Sequence, residues 1–306
     1  MKTNLFIPTL NAGEKWHETL EQLAAQDLPL HRKVIIDSGS TDGTLDDPLL
    51  RDYEVISIDK KDFDHGGTRQ MAVEKFPDAD VFIFLTQDAI PAGPYALSVL
   101  VAALENHPEL GMAYGRQLPH HGATTLESHA RLFNYPKKSE TRSLEERHRY
   151  GIKTISCSNS FAAYRKTAFF DAGGFPKGLI LGEDAYIAGK MLLKGWEMAY
   201  IATAQVHHSH DYTVREEFKR YFDIGVFHAD SAWIFDHFGR AEGRGMEYLR
   251  SEIGHVLEHD PKALPKSIAS LFAKWSGYKI GLAHKRLPTS FNKFFSMHKH
   301  FWHSTQ

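Results

Sequence analysis

The chain has 306 residues, 42% of them hydrophobic and 24% charged, with a formal net charge of −2 and one cysteine. That length supports one large core plus an extension, and the composition is that of a folded globular protein. One cysteine excludes a disulfide framework and a cysteine zinc cluster, no run reaches the roughly 18 apolar residues of a membrane span, and mixed charge through the first half excludes the basic stripe that nucleic acid needs.

The N-terminal MKTNLFIPTL enters an apolar run too short for a secretion signal, which predicts a cytoplasmic chain. Leu5 to Pro8 reads as a short strand, Gly13 to Ala25 as a helix on the spacing of Trp16, Leu20 and Leu23, and Val34 to Ile36 as a second strand ending at Asp37. Glu54 to Ile58 makes a third strand and Thr68 to Phe76 a helix. The unbroken run Val81 to Leu85, Phe-rich and β-branched, reads as a strand buried on both faces, and Tyr95 to Asn106 as the next helix. Such alternation predicts an α/β protein, a mostly parallel sheet with helices on both faces. Further on, Gly111 to Tyr114, Ser160 to Tyr164 and Glu197 to Ile201 read as strands, and Asp184 to Lys194 as a helix ended by Gly195. After His210 the pattern changes to long helices, Val214 to His237 and Leu264 to His284, which divides the chain into residues 1–212 and a helical extension over 213–306.

Polar residues gather where the strands end. Asp88 follows the run Val81 to Leu85, at the place where open α/β sheets bind ligands, although a strand-stopping turn would use the same residue. Asp37 opens DSGSTDGT (Asp37 to Thr44), whose small residues let a flat ligand approach the backbone; a polar turn has the same composition. HGGTRQ (His65 to Gln70) puts two glycines before Arg69 at a helix start, a setting either for phosphate held by free N–H groups and a guanidinium or for a plain capped loop.

In order and spacing, IPTLN (Ile7 to Asn11), DSGSTDGT, the Gly-Gly-Thr-Arg-Gln helix start, LTQDAIP (Leu85 to Pro91), GED (Gly182 to Asp184) and HSH (His208 to His210) resemble the family-2 glycosyltransferases of GT-A fold across residues 3 to 212. The resemblance implies donor contacts at Thr9, Asp37, Arg69, Gln87 and Asp88. It also implies a catalytic base at Asp184, with Glu183 beside it, and inversion at the anomeric carbon. In that family an Asp-x-Asp motif holds a divalent metal on the donor diphosphate. Here the motif reads Thr86-Gln87-Asp88 and keeps the second carboxylate, so Mg²⁺ or Mn²⁺ needs a further protein ligand, and the resemblance puts His210 or His208 in that position. Imidazole suits Mn²⁺ better than Ca²⁺, and on a strand both rings of His-x-His face one way, one as ligand and the other as support.

YGRQLP (Tyr114 to Pro119), FNYP (Phe133 to Pro136), SNSFAAYR (Ser158 to Arg165), HSHDYT (His208 to Thr213) and RYFDIGVF (Arg220 to Phe227) look like the bacterial rhamnosyltransferases that use dTDP-L-rhamnose. On this reading SNSFAAYR lines the acceptor site through Asn159 and Ser160, or forms a strand and turn beneath it. The resemblance implies transfer of L-rhamnose from dTDP-β-L-rhamnose to a hydroxyl of a cell-surface or lipid-linked glycan. The alternatives are the same mechanism with another nucleotide sugar, or a catalytically silent carbohydrate- or membrane-binding scaffold.

From Pro261 to Gln306 there are eight Lys/Arg and no Asp or Glu. Ile268, Leu271, Phe272, Trp275, Tyr278 and Leu282 share one helical face with Lys266, Lys274 and Lys285 opposite, a pattern that predicts a helix lying in an anionic membrane surface on the inner face of the cytoplasmic membrane. The same stripe would serve packing on the sheet or on a second subunit of a homo-oligomer.

Overall fold

The computed structural model describes residues 1–240 and 244–303. The strands are β1 (Thr3–Thr9), β2 (Arg32–Asp37), β3 (Glu54–Ser57), β4 (Val81–Leu85), β5 (Ile90–Pro91), β6 (Leu110–Leu118), β7 (Glu140–Arg142), β8 (Phe161–Arg165) and β9 (Glu197–His207). They form one sheet in the order β3-β2-β1-β4-β8-β6-β9-β5, with β7 alongside β9. Helices α1 (Trp16–Ala24), α2 (His65–Lys75) and α3 (Ala96–Asn106) belong to the alternating first half. They are followed by α4 (Thr125–Asn134), α5 (Arg147–Tyr150), α6 (Lys166–Asp171), α7 (Glu183–Leu193), α8 (Val214–Asp230), α9 (Trp233–Phe238), α10 (Arg244–His259), α11 (Leu264–Leu282) and α12 (Thr289–Phe295).

The α/β layering is the GT-A arrangement that the sequence predicts. Parallel pairing holds from β3 through β2 and β1 to β4. Beyond β4 the sheet is mixed, because β8 runs antiparallel between β4 and β6 before β6 and β9 pair in parallel again. Alternation along each strand fills two cores. Phe82 and Phe84 join Phe6, Val34, Ile36, Tyr164 and Phe169 on one face, while Val81, Ile83 and Leu85 join Leu5, Ile7, Ile35 and the inner faces of α1 and α3 on the other. β4 therefore sits mid-sheet, buried on both sides, and its carboxyl end delivers the Thr86-Gln87-Asp88 turn.

Several boundaries differ from the expected ones for identifiable reasons. α2 starts at His65 rather than Thr68, because the Asp64 side chain caps it by accepting the Gly67 N–H. The single helix expected over Val214 to His237 breaks at Ser231 and Ala232 into α8 and α9, a turn that sends Ile234 and Phe238 into the first core. α4, which the apolar spacing does not mark, is set by Thr124 and Glu127, which form a reciprocal capping box.

The tail is also rearranged. α11 lies parallel to α8, with contacts advancing together from Lys266–Asp211 through Lys274–Glu217 to Lys285–Asp230. The backbones touch: a Cβ on Gly281 would lie 2.0 Å from the Phe222 carbonyl oxygen. The buried side of α11 is thus Ser267, Ser270, Ala273, Gly277 and Gly281, whereas Ile268, Phe272 and Trp275 are 54%, 66% and 60% exposed. The three lysines expected on a solvated face are instead paired with acids of the body. Trp302 joins the first core, and the Met297 N–H bonds Asp223 Oδ2 on α8 at 2.8 Å.

Candidate active site

Two polar clusters form around the carboxyl end of β4. In the first, the turn after Leu85 (Ala89 N–H to Thr86 O, 3.0 Å) leaves the Asp88 side chain 31% exposed. β9 stops at His207, so the period of a strand does not align the two histidines. A turn does, bringing their rings edge to face at 4.8 Å. His208 Nε2 lies 3.4 Å from Asp88 Oδ1 and His210 Nε2 lies 3.6 Å from Oδ2. Each of the three residues offers one ligand atom, and those atoms all lie within 4.8 Å of one another, so among the described residues they form a group able to hold a metal ion. His210 is supported by stacking on Tyr212 (5.1 Å), over which the Arg220 guanidinium sits at 5.6 Å. Burial and then the His208 charge push the His210 pKa down to about 3, so that ring is neutral and carries a lone pair. Burial works against the Asp88 charge, but the imidazoles hold its carboxyl well below the usual carboxylate range.

In the second cluster, Glu183 and Asp184 open α7. Gly182 takes φ +81° at the N-cap, and a Cβ there would meet the Phe227 ring of α8 at 2.9 Å, so this turn has room only for glycine. Glu183 Oε1 accepts from the Asn159 amide at 2.9 Å and pairs with Arg69 Nη1 at 3.2 Å, with both charged side chains under a tenth exposed. Asp184 accepts the backbone N–H groups of Asn159 (3.1 Å) and Ala185 (2.7 Å). Burial opposes the charge on Glu183, but Arg69, His65 and the Asn159 hydrogen bond together outweigh it and lower the carboxyl's pKa. Asp184 is pushed up to about 6, first by burial and then by the neighbouring Glu183 charge. Two adjacent carboxyl groups are thereby moved in opposite directions by environment alone.

The other residues singled out from the sequence sit beside these clusters but are engaged with protein. Asp37 Oδ1 accepts from Thr9 Oγ1 (3.1 Å) and Ser40 Oγ (2.5 Å), and Oδ2 accepts from the N–H groups of Gly39 and Ser40 (2.9 Å each). Its acceptor sites are filled by the loop it shapes. Gln87 does not point to a ligand: it clamps the loop after β1, accepting from Leu10 N–H at 2.8 Å and donating to Leu10 O at 3.2 Å. Arg69 turns inward, also donating to His65 O at 2.8 Å, and Asp64 takes the Gly67 N–H; this helix start is not an open phosphate cradle. Asn159 is 4% exposed and braces both α7 carboxylates, with Tyr164 donating to its side-chain oxygen at 2.6 Å, rather than facing solvent. Ser160, next to it, bonds through its carbonyl to Thr86 N–H and so links the two clusters.

Sequence reasoning gave no role to Gln117 or Arg131, which stand behind His208. Gln117 lies in YGRQLP and is brought there by the pairing of β6 with β9, which sets it opposite Val206; Arg131 comes from α4.

The description "Glycosyl transferase family 2" matches residues 5–171. Over its whole length the chain is 47% identical to the O-antigen chain rhamnosyltransferase RfbN of Salmonella typhimurium, covering 98% of that protein. It is 43% identical, over 99% of its length and 96% of the relative, to the O-antigen chain rhamnosyltransferase WbaN of Salmonella anatum. Among solved structures, the mannosyltransferase PcManGT from Pyrobaculum calidifontis in complex with GDP-Man and Mn²⁺ aligns over 98% of this chain and 84% of that one, with a TM-score of 0.55 at 17% identity. TarS 1-349 of S. aureus aligns over 94% and 91%, with a TM-score of 0.52 at 17% identity. At such identities the likeness is one of fold.

Proposed function

The chain belongs to glycosyl transferase family 2, and from that premise we propose that it moves L-rhamnose from dTDP-β-L-rhamnose to a hydroxyl of an O-antigen or other lipid-linked glycan precursor. It is a glycosyltransferase, and catalysis is assigned to residues 1–212. The observation that carries the reading is the pairing, around one strand end, of a carboxylate–imidazole cluster with a partly buried Asp184 whose proton is held up to about 6. A scaffold without activity has no use for both.

Asp184 is deprotonated at neutral pH and takes the proton from the acceptor hydroxyl. The acceptor oxygen bonds to the anomeric carbon as the bond to the diphosphate breaks, and the electron pair of that bond leaves with the nucleotide. One in-line displacement turns the β-linked donor into an α-L-rhamnoside. Glu183 remains ionised on Arg69, and Asn159 fixes the approach of both carboxylates. Asp88, His208 and His210 would hold the divalent cation, which when bound offsets charge building on the diphosphate. The donor set fits Mg²⁺ or Mn²⁺: an ionised carboxylate suits a hard ion, and two imidazoles favour Mn²⁺ of the two. Nucleoside diphosphate release should be fastest with dTDP-rhamnose in a panel of nucleotide sugars; preference for another donor overturns the substrate, and a β-L-rhamnoside in the product's NMR spectrum overturns the single displacement.

We also assign the basic, amphipathic part of the extension, from about residue 261, a peripheral contact with an anionic membrane, on the cytoplasmic side where the lone Cys157 stays reduced. Ile268, Phe272 and Trp275 stand exposed on α11, and Phe291 and Phe294 on α12, with Arg215 5.9 Å from the Phe294 ring. No helix among the described residues is long and apolar enough to cross a bilayer. Because the tail completes the core, truncation is the wrong test. Replacing Phe272 and Trp275 by serine should abolish flotation with phosphatidylglycerol vesicles while donor hydrolysis persists; unchanged flotation, or a wild-type dimer in light scattering that the same variant dissociates, overturns it.

A further inference from the structure

We infer that Gln117 and Arg131 fix the tautomer of His208, and thereby make its Nε2 a committed ligand; this rests on the reading of Asp88, His208 and His210 as a divalent-cation site.

The argument runs outward from the one group whose hydrogen-bond sense is beyond choice. A guanidinium only donates. Arg131 Nη1 lies 2.6 Å from the Gln117 side-chain atom that faces it, so that atom must be the carbonyl oxygen, and the amide cannot be turned round without setting its NH₂ against the guanidinium. The same oxygen lies 2.9 Å from His208 Nδ1. A carbonyl oxygen only accepts, so Nδ1 must carry hydrogen. In the neutral ring the lone pair then belongs to Nε2, the nitrogen that lies 3.4 Å from Asp88 Oδ1.

For the neutral ring that outcome suits a site that receives a cation, because it leaves Nε2 free to bind one; only a doubly protonated ring could donate to Asp88 from the same pose. A lone pair and a carboxylate oxygen facing each other repel, and the opposite tautomer would have let Nε2–H donate to Asp88. The protein excludes that arrangement with two residues. Gln117 is 2% exposed and His208 6%, so water cannot readily stand in for either partner. His208 is further held by its backbone N–H to Leu118 O at 2.9 Å, next to Gln117 on the same strand. Gln117 and Arg131 touch neither donor nor acceptor in this scheme; they are positioning residues.

Substitutions separate this relay from plain packing. Gln117→Leu removes the acceptor and frees the ring to adopt Nε2–H, so Mn²⁺ affinity in the presence of dTDP, measured by calorimetry, should fall about 10–100-fold, the range for outer-shell partners of metal-bound histidine. Gln117→Glu keeps an acceptor on both sides and should bind Mn²⁺ within a few-fold of wild type. Arg131→Met lets the Gln117 amide turn, and affinity should fall. The double variant Arg131→Met with Gln117→Glu should recover, since a carboxylate has no N–H to present. Recovery is the outcome that a packing role for Arg131 does not give.

The ¹⁵N shifts of the His208 ring give a second readout on metal-free protein: protonated Nδ1 and bare Nε2 in wild type, reversed or mixed in Gln117→Leu. A wild-type Nε2–H ring, or Mn²⁺ affinity unmoved in Gln117→Leu, overturns the relay alone. Absence of Mn²⁺ binding to the wild-type protein with dTDP overturns the metal reading beneath it.

Discussion

The cluster at Asp88 and the cluster at Asp184 use the same elements, a carboxylate with polar neighbours at a strand or helix end, and arrive at opposite states. Around Asp184 the protein supplies its own cation: Arg69 neutralises Glu183, Asn159 braces both residues, and the remaining carboxylate is left with backbone N–H groups and a raised pKa. Around Asp88 it supplies none. Two ring nitrogens and two carboxylate oxygens converge, and each ring is held from behind, His208 by Gln117 and His210 by Tyr212. The difference teaches that the neighbours of a carboxylate set its state. Burial and the adjacent Glu183 charge raise Asp184 although Arg69 works against them, whereas Asp88 faces imidazoles and no like charge.

The sharpest way to break that contrast is Asp184→Asn, which should lower single-turnover transfer by about 10²–10⁴-fold, the usual worth of general-base help, and leave nucleotide affinity unchanged. Transfer within tenfold of wild type would remove the base from Asp184. Next in size, Asp88→Ala should cost more Mn²⁺-dependent dTDP affinity than the roughly 10–100-fold expected of an outer-shell change, and His210→Ala should cost less than Asp88→Ala because water can replace an imidazole. Equal affinity in both variants by calorimetry would move the ion elsewhere. Third, since a base works deprotonated, transfer should decline as pH falls through about 6 and level off above it, and Asp184→Asn should erase that limb. The smallest effect sharpens the contrast: Glu183→Gln removes the like charge that helps raise Asp184, so the acid limb should move to lower pH. A limb that stays where it is would mean that Glu183 carries no charge in the folded protein.

What could be read in advance follows physical range. The run Val81 to Leu85 is apolar on both faces because both faces are covered, so its limits match β4, and the carboxylate just past it lies in a cluster. Gly182, Glu183 and Asp184 were legible as a helix start for similar local reasons. The run of β8 against β4 was not, since strand sense is set by the path between strands and not by the residues within one. Nor could sequence show that Gln87 is turned back onto Leu10, that Asn159 braces the carboxylates, or that Lys266, Lys274 and Lys285 meet acids from α8 and its approach; each is a contact across dozens of residues. The amphipathic stripe of α11 was legible, and the close approach of Gly277 and Gly281 to α8, where Gly225 meets Gly281, packs the opposite, small-residue side and leaves Ile268, Phe272 and Trp275 exposed.

The Phe227 ring lies against Gly182, and α8, which carries it, rests on α11 and near Trp302. The Gly182–Asp184 turn is therefore framed by chain synthesised long after it. A ribosome that has released β1 to β9 has already made every ligand and carboxylate of the site, yet the brace behind the GED turn is still inside the tunnel. Activity should accordingly appear as a step late in translation and not grow with the nascent chain. A stop codon within α11 should then yield a protein with all its catalytic residues and no catalysis.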